Sequence, residues 1–394
     1  MKYDFEHYIA RDQSGSVKWA EMHRKNPDVT DSIVPFSVAD MEFRTAPEII
    51  TGLQKYLETA VLGYTEATDS YFDAVTEWMR RRHVWEVKKE WIVPTPGVVA
   101  ALGVAVNAYT KPGDGVIIMT PVYYPFYLVI EKSGRTIVEN PLRETDGHYE
   151  IDFDDLERKA AQQDSKMLIL CSPHNPVGRV WTPGELARIG EICEKYALVP
   201  VIDEIHHDLI MPGYRHTVFP NACKSLAQQC VVCTAPSKTF NLAGMQTSNI
   251  VIPDENMRKK FIRVKQSAAM LELNVLGYRA CEIAYRECET WLNELIAVLD
   301  QNRAMVEDFC ARNLPGVRVT RLEGTYLQWL DFRSAELSEK KLEELMTQQA
   351  QVFFDEGYIF GSAGSGFERL NIACPKYILE AGLLRVQKAI KPYL

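Results

Sequence analysis

The sequence predicts an α/β fold: a large domain with a mostly parallel central sheet, and a smaller α+β domain formed by both chain ends. Three observations carry that expectation. Short runs rich in Val and Ile recur at Val116–Met119, Met167–Cys171, Leu198–Ile202, Cys230–Thr234 and Asn249–Ile252. They are too apolar on both faces for a half-exposed sheet, as strands covered on both sides by helices are. Amphipathic stretches separate them, and the pattern changes after about residue 285.

The elements follow in order. Pro35 and Pro47 interrupt helical periodicity near the start, so the first 45 residues are expected to pack against the smaller domain rather than join the sheet. Gly63-Tyr64 precedes a helical run over Ser70–Arg82, and Pro96-Gly97 is a turn opening the apolar helix Val98-Val99-Ala100-Ala101-Leu102. Thr182-Pro183-Gly184-Glu185 supplies an N-cap, an N1 proline and a capping-box glutamate for a helix running to about Lys195. Glu287–Asn313 reads as one long helix ended by Leu314-Pro315-Gly316. Strands are expected at Val317–Thr320 and Tyr326–Phe332, and helices at Ser338–Gln351 and Tyr377–Ile390. The division is therefore a large domain over residues 46–285 and a small one from 1–45 with 286–394.

Composition excludes several classes of function. The 394 residues carry a net charge of −9, so nothing draws the whole molecule to nucleic acid or anionic lipid. The basic run Arg80-Arg81-Arg82-His83 reads as a solvated helix end. No apolar run reaches the roughly 18 residues of a membrane span, and MKYDFEHYIARDQ has no signal-peptide pattern. Nine scattered cysteines suggest free thiols in a reducing cytoplasm. Cys230 and Cys233 form one C-x-x-C, but strand alternation would send them to opposite faces and no second pair completes a metal site.

Three segments follow strand ends, where open α/β sheets bind ligands. They are Ser172-Pro173-His174-Asn175-Pro176-Val177-Gly178, Asp203-Glu204-Ile205-His206 and Ser237-Lys238-Thr239-Phe240-Asn241. Each alone has a dull explanation, as a turn, a strand-end acid or a surface lysine. Together they place an amide, a carboxylate and an amine at one sheet edge. Pyridoxal 5′-phosphate (PLP) needs an amine for its aldehyde, an anion for its ring nitrogen and a donor beside its phenolic oxygen. Its phosphate needs an anion pocket, which free backbone N–H groups where Pro96-Gly97 opens the apolar helix would suit, with Ser237 placed to add a hydroxyl. No G-x-x-x-x-G-K-[ST] is present, which argues against a nucleotide P-loop.

The spaced set Gly97, Tyr123, Asn175-Pro176, Asp203, Lys238 and Arg369 resembles the fold-type I PLP enzymes, the aspartate aminotransferase superfamily, along essentially the whole chain. Within it, four passages are most similar to the cystathionine β-lyases and cysteine-conjugate C–S lyases of the MalY/PatB type. They are Ser37–Phe43, Asp203–Asp208, Ser237–Gly244 and Arg369–Pro375. The resemblance implies that Lys238 holds PLP and acts as the base at Cα. Asp203 would pair with the ring nitrogen and Asn175 would donate to the phenolic oxygen. The N–H groups of Val98 and Val99, with Ser237, would hold the phosphate. Tyr123 would stack on the ring, with Tyr124 its rival and a core aromatic the plainer alternative. Arg369 would clamp the substrate carboxylate, unless it is a structural salt bridge. The segment around Ala39 would line the substrate pocket.

Two departures from the aminotransferase pattern stand out. His206 occupies the place, three residues after the acid, where those enzymes usually carry Tyr, and Gln246 the place, eight residues after the lysine, of their phosphate-binding Arg. Both are features of the C–S lyase branch. The expected reaction is therefore α,β-elimination from a sulfur amino acid, such as cystathionine or cysteine, to a thiol, pyruvate and ammonia. A class I/II aminotransferase is the alternative, and a regulatory protein with vestigial activity is the other. The resemblance also implies a homodimer in which Tyr64 crosses to the partner's phosphate site. No metal site is expected, the adjacent His206 and His207 pointing apart.

Overall fold

The computed structural model describes residues 1–30 and 32–394. Seven strands form the large sheet, in the spatial order Ile92–Thr95, Ser248–Val251, Val231–Thr234, Val199–Asp203, Ser165–Cys171, Gly115–Thr120 and Thr136–Pro141. The last five pair in parallel. Ser248–Val251 runs antiparallel to both of its neighbours, so the sheet is mostly parallel, as expected.

Side-chain alternation explains why the central strands are apolar throughout. Val116, Ile118, Met167 and Ile169 face a cluster that includes Val98, Leu102 and Phe261 from two helices. Ile117, Met119, Leu168 and Leu170 face the other way, into a cluster with Leu186 and Ile189. Each helix layer buries one face of the sheet. Cys230 and Cys233 fall in these two opposite clusters.

The helix starting after Thr182 forms over Pro183–Lys195. Thr182 Oγ1 accepts from the Glu185 amide at 3.2 Å, and a Glu185 carboxylate oxygen accepts from the Thr182 amide at 2.7 Å. The predicted long helix begins at Glu289 rather than Glu287, because the chain leaves helical geometry at buried Cys288 to join the preceding Val275–Glu287 helix. The 338–351 segment starts at a Ser338 cap as an α-helix over Glu339–Glu344 and widens to π-type turns over Leu345–Ala350, where Leu345, Met346 and Ala350 are buried. A four-stranded antiparallel sheet joins Arg318–Val319, Leu327–Asp331, Phe367–Asn371 and Asp355–Glu356.

The N-terminal residues carry a helix over Val17–Lys25 and then run extended along the small sheet. Phe36 N–H donates to Phe353 O at 2.8 Å, Asn371 N–H to Phe36 O at 3.0 Å, and Glu42 N–H to Ala373 O at 2.9 Å. This segment passes over the ends of the large sheet and brings Ala39 to the site.

Candidate active site

Strand register sets the site. Cys171 lies opposite Asp203, and Asp203 opposite Cys233, so the three chain segments that follow leave the sheet side by side. Asn175 comes from the first turn, Asp203 from the end of the middle strand, and Ser237 and Lys238 from a single helical turn, Pro236–Thr239. A fourth element, the helix over Val98–Tyr109, aims its uncapped N-terminus at the same place. Its cap residue Gly97 has φ +113°, a conformation that favours glycine, and open space where a Cβ would sit.

These elements enclose a cavity of about 210 Å³, whose lining includes Val98, Val99, Tyr123, Asn175, Asp203, His206, Ser237, Lys238 and Ala39. Lys238 Nζ donates to Ala39 O at 2.7 Å. Burial pushes its pKa down to about 8, with Arg369 adding to the effect and Asp40 and Asp203 opposing it. Burial raises Asp203 to about 7, although the Ile205 N–H, 3.1 Å from Oδ1, and Lys238 both favour its ionised form. His206 is held well below the usual imidazole range by burial and by the charges of Lys238 and Arg369, and its Nδ1 has no protein partner. The cavity thus presents a poised amine, a desolvated carboxyl and a neutral imidazole.

Arg369 adjoins this group from the small sheet. Its Nη1 donates to Asn175 Oδ1 at 2.9 Å, its Nη2 pairs with Asp355, and its buried Nε has no protein partner. Tyr123 faces the cavity, whereas Tyr124 is 42% exposed and is not among the lining residues. Tyr64 does not reach this cavity and its ring is fully exposed. His206 and His207 diverge, although they lie in a turn beyond the strand end and not on the strand itself: His206 lines the cavity, and His207 lies tilted against His83 with ring centroids 4.0 Å apart. His83 corrects the reading of Arg80–His83 as wholly solvated: its side chain is only 5% exposed and lies 2.8 Å from Asp208.

Sequence reasoning missed two neighbours. Tyr326 donates its hydroxyl to Ala39 O at 2.8 Å, so it shares an acceptor with Lys238. Asp355 holds Arg369 and accepts the Val38 N–H at 2.9 Å. Its signal was the first of two adjacent acids, Asp355-Glu356, closing the apolar run Val352-Phe353-Phe354; Tyr326 read only as the start of the strand expected at Tyr326–Phe332.

A profile of the family described as Aminotransferase class I and II matches residues 31–381. The chain belongs to that family. Cystathionine beta-lyase PatB of Bacillus subtilis (strain 168) is 43% identical over 376 residues, covering 95% of this chain and 96% of that protein. Among solved structures, cystalysin from Treponema denticola, whose crystal structure contains a pyridoxal 5′-phosphate cofactor, matches at a TM-score of 0.98 and 50% identity over 100% of both chains. The PLP-bound C–S lyase from Staphylococcus hominis matches at a TM-score of 0.92 and 29% identity, covering 99% of this chain and 98% of that one. In this member of the aminotransferase family, His206 and Gln246 both line the cavity at the two positions that depart from the aminotransferase pattern.

Proposed function

We propose that the chain is a PLP-dependent carbon–sulfur β-lyase, cleaving cystathionine, cysteine or related S-substituted cysteines to a thiol, pyruvate and ammonia. One observation carries the reading: Lys238, Asp203 and Asn175 line one cavity, with Arg369 bonded to Asn175 beside it, and that lining has His206 and Gln246 where aminotransferases place Tyr and Arg. The likeness to PatB and cystalysin supports the same conclusion.

The residues present fit the cofactor. A desolvated carboxyl at about 7 suits a cationic ring nitrogen, which would draw Asp203 back to its ionised form. Asn175 Oδ1 is engaged by Arg369, which leaves the amide Nδ2 to donate to a phenolic oxygen. The N–H groups of Val98 and Val99, with the Ser237 hydroxyl, would hold a phosphate at a helix N-terminus. Tyr123 would cover one ring face. His206, neutral and lacking a partner at Nδ1, would sit beside the cofactor. Bound PLP supplies an electron sink for the charge left when the substrate Cα–H bond breaks.

The chain's own groups do the rest. Arg369 binds the substrate carboxylate and so fixes the amino acid over the cavity, with Ala39 at its edge. Lys238 Nζ, neutral in appreciable fraction near pH 8, takes the Cα proton. The Cβ–S bond then breaks and the sulfur leaves as a thiolate, which takes up a proton. One water converts the remaining three-carbon fragment to pyruvate and ammonia.

Assembly is part of the proposal. Tyr64, Val61 and Leu62 form an exposed apolar segment that a second copy would cover, and Gln246 brings no charge to the phosphate. A homodimer in which Tyr64 donates to the partner's phosphate site meets both points. No helix among the described residues is long and apolar enough to cross a membrane. Nine free, buried cysteines support a cytoplasmic location.

The test is incubation with cystathionine, cysteine or S-alkylcysteines and no 2-oxo acid. Thiol and pyruvate should accumulate together. Turnover that requires a 2-oxo acid acceptor would establish an aminotransferase instead.

A further inference from the structure

Lys238 sits on a helical turn of four residues, Pro236–Thr239, which is too short to hold its own orientation. Thr239, one residue beyond the lysine, is fully buried and donates its hydroxyl to Asp208 Oδ2 at 2.8 Å. Asp208 is itself buried and collects donors from one further element. Trp78 Nε1, on the Asp69–His83 helix, lies 3.2 Å from each of its oxygens, and His83 Nε2 at the end of that helix lies 2.8 Å from Oδ1. His207 Nε2 is 3.2 Å from Oδ2. Burial alone would raise the Asp208 carboxyl, but His207 and His83 more than offset it and hold it well below the usual range.

A buried carboxylate is a burden to a fold unless its acceptor sites are filled and its charge is balanced. Both conditions hold here. The outcome is a rigid ionic acceptor behind the short lysine-bearing turn, braced against a fifteen-residue helix. His83, His207 and Asp208 are also ligand types for a metal, with one donor atom from each within 4.8 Å of the others. The Asp208 oxygens, however, already face Trp78, Thr239 and His83 at hydrogen-bonding distance.

We infer that Asp208 is a positioning residue for the elimination: through the Thr239 hydroxyl it fixes the turn that aims Lys238 Nζ at the reacting carbon. The inference rests on the reading of Lys238 as the catalytic amine. Asp208 and Thr239 are absent from the cavity lining and act only through that turn.

The test compares the PLP-loaded wild type with Thr239→Val, which keeps the shape and removes the donor, and Thr239→Ser, which keeps the donor. Each is checked for cofactor fixed on Lys238 by borohydride and for its melting temperature. Thr239→Val should retain the cofactor, lose about tenfold in kcat with KM within about twofold, and change the visible circular dichroism of the bound cofactor. Thr239→Ser should restore both signals. Wild-type kcat and dichroism in Thr239→Val would overturn the inference. If Thr239→Val does not fold, Asp208→Asn is read for the same split, and loss of fold in both would show that Asp208 holds the fold rather than the lysine. A stoichiometric transition metal lost on His83→Ala would also overturn it, by making Asp208 a ligand. Failure of the wild type to carry cofactor on Lys238 would instead defeat the lyase reading itself.

Discussion

Arg369 Nη1 donates to Asn175 Oδ1 across 2.9 Å, tying the Phe367–Asn371 strand of the small sheet to the turn at the end of a large-sheet strand. The amide that would orient the cofactor and the guanidinium that would bind substrate are therefore one unit. Arg369→Ala should weaken substrate binding by about 2–4 kcal/mol, roughly a 30- to 1,000-fold rise in KM, by deleting a charge-assisted contact. The cofactor spectrum should change little, because Asn175 keeps its Nδ2. Unchanged steady-state kinetics would assign the carboxylate to another arginine.

Lys238 and Asp203 set the pH at which the cofactor-free protein takes up PLP. With its pKa lowered from 10.5 to about 8, Lys238 gains its neutral, nucleophilic form below the range of an ordinary lysine. The rate of PLP capture should rise as pH increases towards 8 and level off above it. Asp203 titrates nearby, at about 7, so stopped-flow profiles of the wild type and Asp203→Asn are compared. The upper inflection belongs to Lys238 and should persist in Asp203→Asn. An inflection near 10 in both proteins would mean that Lys238 is not desolvated.

His83 makes the fold sensitive to acid. Burial and neighbouring His207 push it from 6.5 to about 4, against the pull of Asp208. Below pH 6.5 the unfolded chain binds a proton that the folded one refuses. The contribution is complete above pH 6.5 and is lost as pH falls towards 4, by about 3 kcal/mol in all. Denaturant titrations of wild type and His83→Gln give a difference curve in which the other groups, His207 included, largely cancel. A flat difference between pH 6.5 and 4 would place His83 in solvent.

The shared-site proposal predicts complementation. Tyr64→Ala and Lys238→Ala should each be impaired alone, Tyr64→Ala through a lost hydrogen bond to a charged acceptor worth about 1.5–3 kcal/mol. Unfolded and refolded together, they should yield mixed dimers with one wholly native site and recover part of the wild-type activity. No recovery, under conditions where the wild type refolds, would confine each site to one chain.

The fold was legible where burial forces composition. The five inner strands lie within a residue or two of the apolar runs at positions 116–119, 167–171, 198–202, 230–234 and 249–252. The edge strands were not legible: Thr136–Pro141 is half-exposed and Ile92–Thr95 carries Pro94, so neither gives a continuous apolar signal. The cavity residues that follow strand ends, Asn175, Asp203 and Lys238, could be found because topology brings such positions together. Asp355, Tyr326 and Asp208 act through contacts more than a dozen residues away in sequence, for which spacing offers no signal. His83 was misread because a basic run at a helix end says nothing about which member turns inward.

Lys238 is the amine proposed to hold PLP in this cavity. The PLP-loaded protein is reduced with borohydride and digested, and the modified peptide is mapped. One reduced cofactor per chain is expected, on the peptide that contains Lys238, and none in Lys238→Ala treated in the same way. Label on any other lysine, or equal label in Lys238→Ala, would contradict that role.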